Sequence, residues 1–286
     1  MAQTGKGRGR DVARLLTPPI LLAAARRLAG RRAGPPDRLP SALQGPFATW
    51  AEAVAAADGW ESPAIVARTR ELGRQLQRGE IAFQQDALVH PRIRYSPAIL
   101  ALIALLAARS GGKVDVIDVG GSIGTNYQQN HKVLAPFLAR GACRWRVVET
   151  PAMAALGRAE FAAPGLAYFD SWEAALADGG PAAGVLFGSS LQSLADPWAA
   201  LAAAAEAGAE LIAADRLLLT PGLEDRIFVQ HTEPDRYGGA SVAVRALARP
   251  PLVERMAGLG FALAEAFSGP RAGQFWHESL LFARGA

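Results

Sequence analysis

From residue 114 to the C-terminus, short β-branched apolar runs alternate with longer stretches in which Ala and Leu recur every three or four positions. The runs at residues 114–119 (VDVIDV), 145–149 (WRVVE), 166–169, 184–187 and 210–214 read as strands. The stretches that reach to about residue 138, and those at 152–161, 171–177 and 197–207, read as the helices between them. Such alternation predicts an α/β fold, a parallel sheet covered by helices on both faces. After residue 214 the pattern becomes irregular. It resumes at 260–267 and 278–284, separated only by SGPRAGQFW, which predicts an antiparallel hairpin at one edge of the sheet.

Upstream the pattern is helical. Thr49-Trp50-Ala51-Glu52 opens a helix that Asp58-Gly59 stops; Ser62-Pro63 opens a second, to about Arg78, with Gly79 as its stop; Pro97 opens a third, ending near Arg109. Three helices before the first strand predict a helical cap over residues 41–112, built onto a sheet domain at 113–286. Residues 1–40 form a third region, in which Pro18-Pro19 introduce a short helix at 20–32 and a Gly/Pro/Arg linker follows.

Charge separates that region from the rest. The 286-residue chain carries a formal +4, yet residues 1–40 hold nine Lys/Arg against Asp11 and Asp37, a net +7 that leaves the body at −3. A nucleic-acid partner is therefore not expected, and the tail is a candidate for peripheral contact with an anionic membrane surface. Its apolar part is too short to span a bilayer, and no signal peptide is expected. The single cysteine, Cys143, excludes an internal disulfide, no Cys/His cluster suggests a metal, and a cytoplasmic home fits.

The candidate chemistry lies where the first strand ends. Gly120, Gly121 and Gly124 follow it at once, as in a tight turn that lets a ligand approach the backbone before a helix begins. The spacing is not the G-x-G-x-x-G of a dinucleotide site, and Asp118 stands two residues before the turn. A carboxylate there repels a pyrophosphate and attracts an ammonium group, so S-adenosyl-L-methionine is favoured over NAD. Glu149 ends the second strand, where a Rossmann-like sheet presents an acid to ribose hydroxyls.

With GPFATWAEA, GEIAFQQD, VIDVGGSIGTNYQQN, WRVVET, LFGSSLQSLADP, AADR and VQHTEPDRY, the sequence resembles the class I S-adenosylmethionine-dependent methyltransferases over residues 45–267. More narrowly it resembles bacterial methyltransferases associated with surface-polysaccharide biosynthesis. The resemblance implies a Rossmann-like, mostly parallel sheet with a terminal antiparallel hairpin and an enzyme acting on a small-molecule or glycan acceptor. It also implies that Asp118, Gly120, Gly121, Ser122 and Gly124 surround the amino-acid end of the cofactor and that Glu149 holds its ribose. Asp170 and Ser171 would border the adenine, and Ser189, Ser190, Leu191 and Gln192 would line the site beside the methyl. Ser122 stands where many such enzymes have a third glycine. Residue chemistry alone also allows Asp170, Ser189 and Ser190 to be caps of the following turns.

Methyl transfer requires alignment and exclusion of water, and a hydroxyl acceptor adds the need for a general base. The irregular segment after residue 214 supplies candidates in Asp215, Arg216, Gln230, His231 and Tyr237. His231 is preferred, with Tyr237 and Asp215 next, because an imidazole titrates near neutrality. His90, in a loop before a proline, and His277, beside the last strand, have weaker cases; Asp86 either anchors the cap or touches the acceptor. His131 and Lys132 are expected to face solvent. The competing reading is a noncatalytic methyltransferase-like protein that binds a nucleotide or partner; an NAD-dependent reductase lacks both its glycine spacing and a Tyr-x-x-x-Lys dyad.

Overall fold

In the computed structural model, which describes residues 43–234 and 236–285, the run VDVIDV becomes the central strand β4 (Val114–Val119). Val114, Val116 and Ile117 are at most 1% exposed, as a strand covered on both faces requires. On one side lie β5 (Cys143–Val148) and β6 (Leu166–Phe169), on the other β7 (Gly184–Gly188) and β8 (Leu211–Thr220), all parallel. The hairpin β11 (Phe261–Ala272) and β12 (Phe275–Arg284) completes this part of the sheet. Its second strand pairs with β8 antiparallel, so β12 lies between β8 and β11. This is the Rossmann-like, mostly parallel sheet with a terminal antiparallel hairpin that the pattern predicts.

Two apolar layers hold it. Helix α3 (Pro97–Arg109), with Pro97 at its first turn and the Ser96 hydroxyl accepting from the Ile99 N–H, sets Ile99, Leu102, Ile103 and Leu106 against Val116, Leu186, Ala213 and Leu281. On the opposite face Val185, Phe187, Ile212, Leu280 and Phe282 pack against Leu201 of one helix and Leu252 of another. Leu281 faces one layer, and Leu280 and Phe282 the other, which is the two-residue period of a strand read across the sheet. Each fully buried aliphatic side chain contributes roughly 1.5–3 kcal/mol to holding those layers together.

Helices α1 (Trp50–Ala55) and α2 (Pro63–Gln77) form where predicted, α1 through a reciprocal box in which Thr49 Oγ1 accepts from Glu52 N and Glu52 Oε2 from Thr49 N, each at 3.2 Å. The cap segment also supplies strands that the helical reading did not anticipate: β1 (Leu43–Phe47) and the small hairpin β2 (Phe83–Gln85) and β3 (Leu88–His90). Most of the region read as irregular is regular. β8 runs six residues past Ala214, and β9 (Arg226–His231), β10 (Ser241–Ala248) and the helix at Arg249–Gly258 follow. Asp215-Arg216 looks like a strand end in the sequence, but Asp215 finds buried partners and the strand continues through it. The motif VQHTEPDRY is accordingly part strand, not an irregular insertion, and it extends the sheet as β8-β10-β9-β1.

The basic helix and membrane contact expected of residues 1–40 lie outside the described residues. Among the described residues no helix is long and apolar enough to cross a membrane.

Candidate functional site

The C-terminal ends of β4 to β8 converge around the glycine loop. Gly120 (φ +69°) turns the chain there, and a Cβ on it would stand 2.4 Å from the Ser190 Cβ, so only a glycine lets the loop touch the tip of β7. Ser122 also adopts a left-handed conformation, φ +55°. Its N–H donates to Glu149 Oε1 at 2.9 Å, while the Thr150 N–H donates to Oε2 at 2.8 Å. Glu149 is thus clamped by one backbone donor per oxygen, and each oxygen keeps a second lone pair for a ligand hydroxyl. Its burial pushes the carboxyl above the usual range, with the two N–H donors opposing.

Asp118 is placed differently from the expectation. It is 0% exposed, beneath the loop, and its carboxylate accepts from Asn126 Nδ2 at 3.1 Å to each oxygen and from Trp145 Nε1 at 3.0 Å. The Gly121 backbone lies on the same group: a Cβ there would come within 2.6 Å of Oδ2. The predicted contact with a ligand ammonium is therefore corrected to a support for the loop. Burial raises its pKa to about 7, against the lowering effect of the Trp145 and Asn126 donors. Nothing in the glycine motif itself announces Trp145 and Asn126, which reach Asp118 only once β4, β5 and the helix Thr125–Leu138 are assembled.

The remaining predicted cofactor residues divide into an exposed rim and buried supports. Asp170 is exposed and pairs with Arg158 at 3.3 Å. Ser171 caps the helix Trp172–Gly179 by accepting from Ala174 N at 3.2 Å. Ser189 (φ +68°) is half-buried, and its N–H donates to the Asp215 carbonyl at 2.9 Å. Ser190 Oγ donates to the Val119 carbonyl, Leu191 is fully buried, and Gln192 ties the tip of β7 to β8 by accepting from Leu218 N at 3.3 Å. Leu191 and Gln192 hold the strand tips in register and line no open surface. Gly124 (φ +78°) makes the step into the helix that follows.

Across the strand tips stands a second group. Asp215 is fully buried; Oδ1 accepts from Ser96 Oγ at 2.6 Å and Ser279 Oγ at 2.7 Å, and Oδ2 meets Arg216 Nη1 at 2.9 Å. With both oxygens so engaged it anchors α3, β8 and β12 together. Arg216 (φ +51°) reaches the turn of the β2–β3 hairpin, where Asp86 and Ala87 take the paired left-handed angles (φ +51° and +59°) of a two-residue type I′ loop. Asp86 Oδ1 is 4.0 Å from Arg216 Nη2, and Gln85, with its amide oxygen turned to the guanidinium, accepts from Nη2 at 3.1 Å and Nε at 3.2 Å. Gln84 Nε2 donates to Thr125 Oγ1 at 3.0 Å, so the same hairpin is pinned to the start of the glycine-loop helix. It spans the two halves of the site.

Tyr237 belongs to this group. Its ring meets Trp60 edge-on at 5.6 Å, and burial drives its hydroxyl pKa up, with smaller influences from Asp86, Arg236, Arg216 and Glu149. It is therefore a hydrogen-bond donor at neutral pH. His231 is not brought to these residues: its ring is exposed, and Nε2 lies 2.8 Å from Gln44 Oε1. His131 and Lys132 face solvent as expected.

No protein-family model matches the sequence. No curated protein matches it either. Among solved structures, the N-terminal domain of EvdMO1, crystallised with SAH and D-fucose, is 20% identical, with 76% of this chain and 97% of that one covered at a TM-score of 0.47. A 1,6-didemethyltoxoflavin-N1-methyltransferase from Burkholderia thailandensis is 18% identical over 88% and 100% at 0.46, and the CcbJ methyltransferase from Streptomyces caelestis 15% over 71% and 94% at 0.44. At this degree of likeness nothing about activity passes from them to this chain.

Proposed function

We propose that this protein is an enzyme that transfers a methyl group from S-adenosyl-L-methionine to a hydroxyl of a small-molecule or glycan acceptor. The observation that carries the reading is the clamped Glu149 beside a left-handed glycine loop at the strand tips: two backbone donors fix an acid whose free lone pairs suit a ribose diol. The fit is good for the ribose, and Gly120 lets the loop close onto the tip of β7. It differs at Asp118, which supports the loop from below, so the ammonium end would be held by backbone groups of residues 119–122. When bound, the cofactor supplies an electrophilic methyl on a sulfonium.

The chain's own residues do the rest. Asp170 and Arg158 border the adenine side, and Ser189 stands beside the gap between the strand tips and the hairpin. Tyr237, kept protonated by burial, donates a hydrogen bond that orients the acceptor oxygen. The β2–β3 hairpin, held by Arg216 and Thr125, excludes water from the reacting groups. The narrower reading, a glycan acceptor of surface-polysaccharide type handled in the cytoplasm with the basic tail at the membrane, rests on the residue motifs and the charge of residues 1–40.

Isothermal titration with S-adenosylhomocysteine tests the core of this reading. Saturable binding by the wild type, weakened about 10- to 150-fold in Glu149→Ala, is expected for loss of a charge-assisted hydrogen bond worth about 1.5–3 kcal/mol. A wild type that shows no binding sinks the assignment.

A further inference from the structure

We infer that His277, on β12, is the general base that takes the proton from the acceptor hydroxyl; the inference rests on the methyl-transfer reading and assigns a residue to its missing step. The argument begins with tautomerism. His277 Nδ1 lies 3.2 Å from the carbonyl oxygen of Arg216. A carbonyl only accepts, so Nδ1 must carry the hydrogen and Nε2 must present its lone pair. The Leu217 backbone also lies against the ring, no hydrogen bond to Nε2 meets ordinary distance and angle among the described residues, and Nε2 is not one of the buried polar atoms left without a partner. Solvent therefore reaches it.

Position supports the same role. Trp276 and Glu278 turn to the face where Trp276 Nε1 and Arg249 both bond Glu278. His277 turns to the other face, as Ser279 does in bonding Asp215. The charged groups that face the ring are Arg216 from β8 and Asp86 from the hairpin turn. Opposite it β11 presents Gly269, and α3 has no charged residue before Arg109. Arg216 and Asp86 are also among the charges felt by the Tyr237 hydroxyl, together with Arg236 and Glu149. Burial lowers the pKa of His277, so the ring is neutral and able to accept at pH 7.

The step balances with a sulfonium methyl donor as co-reactant. The acceptor O–H bond breaks, its proton going to Nε2 and its electron pair remaining on oxygen. The oxygen forms the new C–O bond as the C–S bond breaks onto sulfur, which leaves as a neutral thioether. The imidazolium then passes its proton to water. Asp215, bonded by the Ser279 hydroxyl, fixes β12 against β8 and thereby holds the ring where the Arg216 carbonyl can accept its Nδ1 hydrogen.

The test reads the ring directly and then its consequence. Long-range ¹H–¹⁵N NMR of protein labelled in histidine should show His277 with Nδ1 protonated and Nε2 bare at pH 7.5, titrating below the ordinary value of about 6.5. An Nε2-protonated tautomer, or protonation persisting above pH 7, overturns the inference whatever the acceptor. His277→Asn keeps a donor for the Arg216 carbonyl and removes the base; His277→Gln serves if the first variant does not fold. Either should bind S-adenosylhomocysteine within about twofold of wild type. Methyl transfer from labelled S-adenosylmethionine to a panel of sugars and phenols should fall roughly 10²–10⁴-fold and lose its acidic limb. Turnover within twofold of wild type, with that limb intact, overturns the inference. Wild-type protein that binds no S-adenosylhomocysteine refutes the methyltransferase reading itself, a result distinguishable from either failure at His277.

Discussion

Glu149 takes its two donors from its neighbour Thr150 and from Ser122, 27 positions away, and both belong to the β4–loop–β5 unit. Asp215, on the other side of the site, is bonded by Ser96, 119 positions before it, and Ser279, 64 after it. The half facing the expected cofactor is thus a local unit of strand, turn and helix. The half proposed to face the acceptor is assembled from the cap, the middle and the last strand. Local assembly fixes geometry through backbone donors and glycine conformations, whereas remote assembly fixes it through side-chain pairs, which tolerate substitution differently. That difference is open to experiment at four positions.

The largest effect is expected on the local half, at Asp118. Its folded pKa of about 7 lies above the unfolded value of about 3.9. The folded state therefore binds the extra proton between those values: the stabilisation is complete below about pH 4 and is lost as pH rises through about 7. Over pH 5–7 this group should lower wild-type stability by up to about 1.4 kcal/mol per pH unit. In Asp118→Asn that component should vanish, so denaturant unfolding of the two proteins at pH 5, 6, 7 and 8 should give a difference that grows with pH up to about 7. A difference that stays flat would show that Asp118 is not a buried, titrating support.

Next in size is Glu149→Ala, whose expected loss of about 1.5–3 kcal/mol in S-adenosylhomocysteine binding should come with little change in melting temperature. Loss of fold instead would mean that the clamp is structural and the two halves are not separable. Arg216→Ala removes the guanidinium that holds the hairpin turn. The Arg216–Asp86 pair is long and part-exposed, so the cost to the hairpin should be about 1 kcal/mol or less, read as faster amide exchange over residues 83–90, while loss of the partner to the buried Asp215 carboxylate adds a separate global destabilisation. Unchanged exchange there would shift attention to the Gln84–Thr125 bond as the hairpin's attachment.

His231→Ala should have the smallest effect: turnover within about threefold of wild type, because its ring faces Gln44 and solvent. A hundredfold loss would restore the role that its titration range suggests. Comparison with His277→Asn under the same assay decides between the two histidines.

What was legible follows the same division. β4, its glycines and Glu149 could be read because a buried parallel strand is a continuous β-branched run and a left-handed turn needs glycine, both properties of adjacent residues. The cap of the helix Trp172–Gly179 reads one residue early in the sequence, on Asp170, whereas Ser171 makes it. The extension of β8 was not legible because Asp215-Arg216 interrupts an apolar run, and Ser96, Ser279 and Arg216 make that acid acceptable inside. His277 was passed over for His231 because the sequence shows two histidines near strand ends and says nothing of what each ring touches.

The sequence by itself determined the alternation of strands and helices, the closing hairpin, the turn conformations at Gly120 and Gly124, and the placing of an acid at the tips of β4 and β5. These depend on side-chain periodicity and backbone freedom, which neighbouring residues dictate. Only the tertiary structure decided which carboxylate keeps free lone pairs at the strand tips and which is sealed beneath the loop, that the hairpin at Gln85 and Asp86 meets Arg216, and that His277 Nδ1 meets the Arg216 carbonyl. Those outcomes depend on which groups lose water and which donors meet them, and that is settled when segments far apart in the chain are packed together.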